Sequence, residues 1–155
     1  MCYTVVMGHF NIYLAGVIDS DGSISIIKRL RQSTTRGYHY RELVQISWKR
    51  EAGTERLANE IKDRYGGGVY ITANGGFNGD TPIIKYGCEG KIAERLLKDI
   101  IPFMQLKKPQ AELALRMRSL KSSGYGVGRP KPDSVWEEED SIYAKMLKQK
   151  ARGRV

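Results

Sequence analysis

Asp19 and Asp21 stand one residue apart at the end of the apolar run 14–18, just before Gly22. Carboxylates are almost never fully buried unless they are paired or bind a cation. The stretch is therefore either an ordinary helix end or the floor of a metal site. Other metal chemistry has little support, because Cys2, Cys88, His9 and His39 make no zinc-ligand spacing. With Cys2 and Cys88 as the only cysteines, a reduced, intracellular protein is the simplest reading. No basic segment followed by an apolar one stands at the N-terminus, so no secretion signal is expected.

The chain carries a net charge of +9 over 155 residues. A single domain with a polyanionic partner is expected, nucleic acid first and an anionic membrane surface second. No apolar run reaches the ~18 residues of a membrane span. The basic residues are also clustered. Lys28, Arg29, Arg31, Arg36, Arg41, Lys49 and Arg50 face a single acid, Glu42, between positions 23 and 50. Surface charge usually alternates in sign, so this bias favours binding over a merely solvated face.

The elements that must position these groups follow from periodicity. Residues 11–18 read as a short helix, apolar nearly all round and so buried on more than one side. Ala15 and Gly16 are small enough to admit another backbone. In SISIIKRLRQ, Ser25, Ile27, Arg29 and Arg31 alternate with Ile24, Ile26, Lys28 and Leu30, a strand pattern. After the turn TTRGY, HYRELVQISWK is a second strand, with His39, Arg41, Leu43, Gln45 and Ser47 on one side. TERLANEIKDRYG is an amphipathic helix with Leu57, Ala58, Ile61 and Tyr65 inward and Gly66 as its stop. VYITAN and PIIKYGC flank GGFNGD as a second hairpin. GKIAERLLKDII forms a helix ended by Pro102, and Pro109 opens another, striped by Leu113, Met117 and Leu120.

The order predicts an α+β protein, αββαββα. Its four strands make one antiparallel sheet, with the helices on one face and the other face open. The open face would present Ser25, Arg29, Arg31, His39, Arg41, Gln45 and Ser47, with Tyr70, Thr72, Asn74 and Lys85 from the second hairpin. Such hydrogen-bonding side chains suit base edges in a DNA major groove, which admits a β-ribbon. A core domain over 1–120 is followed by a Gly/Pro-rich linker, 121–133, and a C-terminal helix and basic tail, 134–155. The GYGVG of the linker is no phosphate loop, since no strand precedes it. Ser134 and Glu137 form a capping box, and the helix behind them reads as solvated, with Lys148 and Lys150 available to phosphates.

LAGVIDSDG closely resembles LAGLIDADG, the signature of the homing endonucleases and maturases of that name, with seven of nine letters shared. LKKPQAEL, from Leu106, is similar to a later segment of the family. The resemblance covers about residues 9–120 and implies the αββαββα fold with a saddle-shaped sheet. It implies that two motif helices pack together, here through Leu14, Ala15, Gly16 and Ile18. The acids at the helix ends would meet and hold a divalent cation, usually Mg2+. Asp21 is then the catalytic metal ligand, with the Ser20 carbonyl beside it. Asp19 would only terminate the helix by local hydrogen bonds. Lys107 matches a family lysine near the scissile phosphate. The family's second-strand glutamine corresponds here to Trp48, beside Lys49, and Trp48 reads as core. Gln45 lies three residues earlier on the opposite face. One motif copy implies a homodimer that cuts long, near-palindromic double-stranded DNA and is intron- or intein-associated. The rival readings are an intron RNA maturase and a DNA-binding regulator that does not cut.

Overall fold

The computed structural model describes residues 3–73, 79, 81–121, 124–125 and 129–152, with side chains from 8 to 151. Asn74 lies outside the described residues. Helix α1 (Tyr3–Ser20) is 18 residues long, well beyond the expected 11–18. The apolar periodicity becomes clear only at Asn11, but no proline upstream stops the helix earlier. At its other end Gly22 is required by a close approach: a Cβ there would sit 2.7 Å from the Ile18 Cα. The chain can therefore turn straight from α1 into β1 (Gly22–Leu30).

β1 pairs antiparallel with β2 (Tyr38–Lys49). Their turn is closed by the Arg31 amide on the Gly37 carbonyl at 2.8 Å, with Gly37 at φ +72. Arg31 therefore begins the turn and is not on the strand face expected for it. α2 (Ala52–Tyr65) ends where the Gly66 amide meets the Lys62 carbonyl, and it buries Ala58, Ile61 and Tyr65. β3 (Gly68–Thr72) and β4 (Ile83–Glu89) form the second hairpin. α3 (Gly90–Ile100) runs into a 3₁₀ turn, Ile101–Phe103, that contains Pro102. α4 (Lys108–Lys121) takes Pro109 in its first turn and buries Ala111, Ala114, Met117 and Leu120.

The sheet order is β1-β2-β4-β3, every neighbour antiparallel. The inward positions Ile24, Ile26, Val44, Ile46, Ile84 and Tyr86 build one core with the helices. This is the four-stranded α+β arrangement expected. Glu42 shares the inward face and is nearly fully buried. Lys121 satisfies one of its oxygens, Nζ to Oε1 at 2.5 Å, and also donates to the Tyr40 carbonyl.

Further expectations change. Leu14, Ala15 and Ile18 are 0% exposed and point into the chain's own core, not outward. At ~100° per residue these three lie on one side of α1. Ile12, Tyr13 and Gly16 lie on the other and are exposed. A helix apolar all round does not itself say which side turns inward, and its packing against α3, the 3₁₀ turn and β1 decided it. The C-terminal helix α5 (Asp133–Arg152) is not solvated: Trp136, Ile142 and Met146 are buried in it. Glu139 is buried as well, with both oxygens 2.7 Å from Lys131 Nζ. Asp140 accepts from the hydroxyls of Tyr38 at 3.0 Å and Tyr40 at 2.6 Å. The helix starts at Asp133, and the Pro132 carbonyl accepts from the Val135 and Trp136 amides, so Ser134 lies inside the first turn.

Candidate active site and nucleic-acid interface

Asp21 follows α1 directly, and its amide donates to the Val17 carbonyl at 2.9 Å. Its side chain is exposed, and among the described residues its carboxylate takes part in no hydrogen bond or ion pair. It borders a surface depression with Tyr13, Val17, Trp48 and Leu57. Trp48 is half-buried against the core and is also a wall beside Asp21.

Asp19 behaves oppositely. It is buried, and its carboxylate accepts three backbone amides from far along the chain. Gln105 donates to Oδ2 at 2.6 Å, Leu106 to Oδ2 at 3.2 Å, and Lys107 to Oδ1 at 2.9 Å. The expectation of purely local helix termination is therefore corrected. A carboxylate that receives several amides is strongly held, because bonds to a charged acceptor are about twice as strong as neutral ones. Lys107 returns the contact. Its Nζ donates to the carbonyls of Ile18 at 3.0 Å, Ser20 at 3.1 Å and Gly22 at 2.8 Å. These bonds match the three donors of an ammonium, which here face backbone. Burial lowers the Lys107 pKa from its ordinary value, opposed by the charges of Asp19 and Asp21.

The oxygen donors next to one another at the end of α1 are the Asp21 carboxylate and the Ser20 carbonyl. Hard ions such as magnesium take oxygen ligands and keep several waters, so this donor type fits. The Ser20 carbonyl already accepts from Lys107, which leaves one of its two lone pairs. Among the described residues no group of three or more His, Cys, Asp or Glu could enclose an ion. The described residues thus offer two adjacent oxygen donors at the end of α1, fewer than the full shell of such an ion.

The open sheet face gathers most of the residues expected there. Arg29 pairs in register with His39, and Ser25 with Leu43. Gln45 pairs with Gly87, and Ser47 with Lys85. Lys85 pairs with Tyr70, and Ile83 with Thr72. Strand alternation places Ser25, Arg29, His39, Arg41, Gln45, Ser47, Lys85, Tyr70 and Thr72 on this one face. Arg31 lies beyond it in the turn, with Nε 3.0 Å from Ser33 Oγ. Burial, and then the charges of Arg31 and Arg41, lower the His39 pKa, which favours a neutral ring. Lys148 is exposed on α5, whereas Lys150 Nζ is 3.2 Å from Ser23 Oγ.

Glu89 was missed by the sequence reading. It ends β4 on the open face, opposite Leu43. Its Oε1 accepts from Arg29 Nη2 at 2.5 Å and its Oε2 from Arg41 Nη1 at 3.3 Å. The alternation Ile83, Lys85, Gly87, Glu89 was the available signal.

No family model and no curated protein matches the chain. Solved structures do. The homing endonuclease I-CvuI, in complex with its target in the presence of calcium, superposes with a TM-score of 0.74 at 20% identity, over 94% of this chain and 85% of that one. The archaeal intron-encoded homing endonuclease I-Vdi141I, complexed with DNA, gives 0.68 at 17% identity, over 91% and 84%. The LAGLIDADG homing endonuclease I-SmaMI, bound to cleaved DNA, gives 0.64 at 18% identity, over 94% of this chain but 45% of that one. The chain has the homing-endonuclease fold, and its length corresponds to about half of I-SmaMI.

Proposed function

We propose that this protein is a site-specific endonuclease for double-stranded DNA. It works as a homodimer by metal-dependent phosphodiester hydrolysis and is associated with an intron or intein. The observation that carries the reading is the free Asp21 carboxylate. It sits at the end of a helix with an exposed apolar and small-residue face, beside an open sheet face rich in arginine, lysine and amide groups. The fold neighbours I-CvuI, I-Vdi141I and I-SmaMI, whose structures contain a target or DNA, support it.

Each part has a task. Asp21 and the Ser20 carbonyl hold the divalent cation. When bound, such a cation activates the attacking water and stabilises the leaving oxygen. Lys107 keeps a positive charge at the exit of α1, where it supports the developing charge on the phosphate. Ile12, Tyr13 and Gly16 form the contact with the second copy. A Cβ on Gly16 would meet nothing within 4 Å beyond its own turn of helix, so this side is clear for another backbone. Two copies related by a twofold axis bring the two Asp21 groups together and read a near-palindrome.

The experiment is direct. DNA that flanks the gene's insertion point is rejoined and incubated with the protein and magnesium. The expected result is a cut in both strands at the junction, lost in Asp21→Asn. Tight binding without any cut would assign a regulator instead. Binding of the intron transcript and not the duplex would assign a maturase.

A further inference from the structure

Glu89 is the only carboxylate among the described outward positions of the four strands. On a face that receives a polyanion, such a charge repels phosphates and lowers affinity. Its side chain does not cap α3, although Glu89 holds the N-cap position. It bridges two strands instead, with one oxygen on Arg29 of β1 and the other on Arg41 of β2. Both arginine side chains are about half exposed, at 45% and 47%, while that of Glu89 is 27% exposed.

A guanidinium is a planar fork of five donors. An arginine free to swing can settle on the nearest phosphate, and phosphate contacts carry no sequence information. An N–H tied to Glu89 restricts the plane of the fork and leaves its other edge free. That edge is the one that can pair bidentately with guanine O6 and N7 in the major groove. The carboxylate also offsets one of the two positive charges at this spot, which weakens the pull of both arginines on phosphate.

We propose that Glu89 is a positioning residue for base recognition: it orients Arg29 and Arg41 towards guanine and excludes the sugar-phosphate backbone from them. This rests on the reading that the open face binds duplex DNA. The ligand class is guanine-containing base pairs, at one pair of symmetry-related positions in a homodimer's target.

The test uses the full chain and duplexes selected by it from a randomised library, followed by binding profiles over every single-base change. The proteins compared are the wild type, Glu89→Gln, Arg29→Ala, Arg41→Ala, Arg29→Ala with Arg41→Ala, and Glu89→Gln combined with both alanine changes. Glu89→Gln keeps the shape of this partly exposed side chain, so the fold is retained, but it removes the charge and replaces one of the two acceptor oxygens with a donor NH2, so the two arginines can no longer both be held. It is expected to bind non-cognate duplexes more tightly and to lose guanine preference at the affected pair roughly tenfold, the size of one good bidentate contact. In the background without both arginines, Glu89→Gln should leave base preference unchanged, because nothing remains for it to orient. If Arg29→Ala or Arg41→Ala loses the preference and Glu89→Gln keeps it, the role of Glu89 is overturned while the DNA-reading face stands. If the wild type selects no sequence at all, both fall.

Discussion

Asp19 and Lys107 each hold the backbone of the other's segment. The Asp19 carboxylate accepts the amides of Gln105, Leu106 and Lys107, and the Lys107 ammonium donates to the carbonyls of Ile18, Ser20 and Gly22. The end of α1 and the start of α4 are thereby locked as one unit, with Asp21 projecting from it. The unpaired carbonyls at the C-terminus of a helix carry partial negative charge, and an ammonium there offsets it.

The lock predicts a stability effect for a residue in a catalytic-looking motif. Asp19→Ala strands three amides near the protein interior, at about 1–3 kcal/mol for each group left without a partner. Partial rehydration limits the loss to roughly 2–4 kcal/mol. Urea unfolding measures it, and a midpoint equal to the wild type's would show that the amides do not depend on Asp19.

Asp21 should behave in the opposite way. Its carboxylate has no partner among the described residues, so Asp21→Asn should change stability by less than ~0.5 kcal/mol. Specific DNA binding should survive and strand cleavage should disappear. Full cleavage by this variant at ordinary magnesium concentrations would remove Asp21 from the chemistry.

The two sides of α1 make a paired prediction. Gly16→Leu adds a side chain where the protomer has open space, so the protomer should fold normally. The same side chain should push two motif helices apart, and sedimentation should then report a monomer. Leu14→Ala, on the buried side, should instead lower protomer stability by about 2–5 kcal/mol. A Gly16→Leu variant that stays dimeric and active would take this face out of the interface.

Stability should also fall in alkali. Burial pushes the Cys88 thiol up from 9.0 to about 11. The folded state thus keeps a proton that the unfolded chain releases, and the corresponding stability is complete below pH ~9 and lost as pH rises towards 11. Burial likewise raises the phenols of Tyr40, Tyr65 and Tyr86 above 10.0, which extends the loss to higher pH. Urea midpoints measured against pH should be flat near neutrality and decline above pH ~9. In Cys88→Ala the decline should begin about one unit later, with the tyrosines. An identical onset in both proteins would rule out the thiol as its cause.

Local pattern alone determined much of this protein. Strand alternation placed Arg29, His39, Arg41, Gln45 and Ser47 on one face, since successive side chains of a strand must point to opposite sides. The LAGVIDSDG stretch marked the turn from helix into strand, where Gly22 has no room for a Cβ. These features depend on residues close in the chain. Other features depend on how distant segments meet. The partner amides of Asp19 lie 86 to 88 positions away, and no period connects them. Which side of α1 turns inward was settled by α3, the 3₁₀ turn and β1, on which it packs, because its apolar residues run nearly all round. Arg29 and Glu89 are 60 positions apart and meet only because β1, β2 and β4 lie side by side. α5 docks by burying Trp136 and by placing Asp140 against the hydroxyls of Tyr38 and Tyr40, about 100 positions away, whereas its charge pattern alone suits a helix in water. Periodicity reports the environment that each segment requires, and only the packed chain decides which segment provides it.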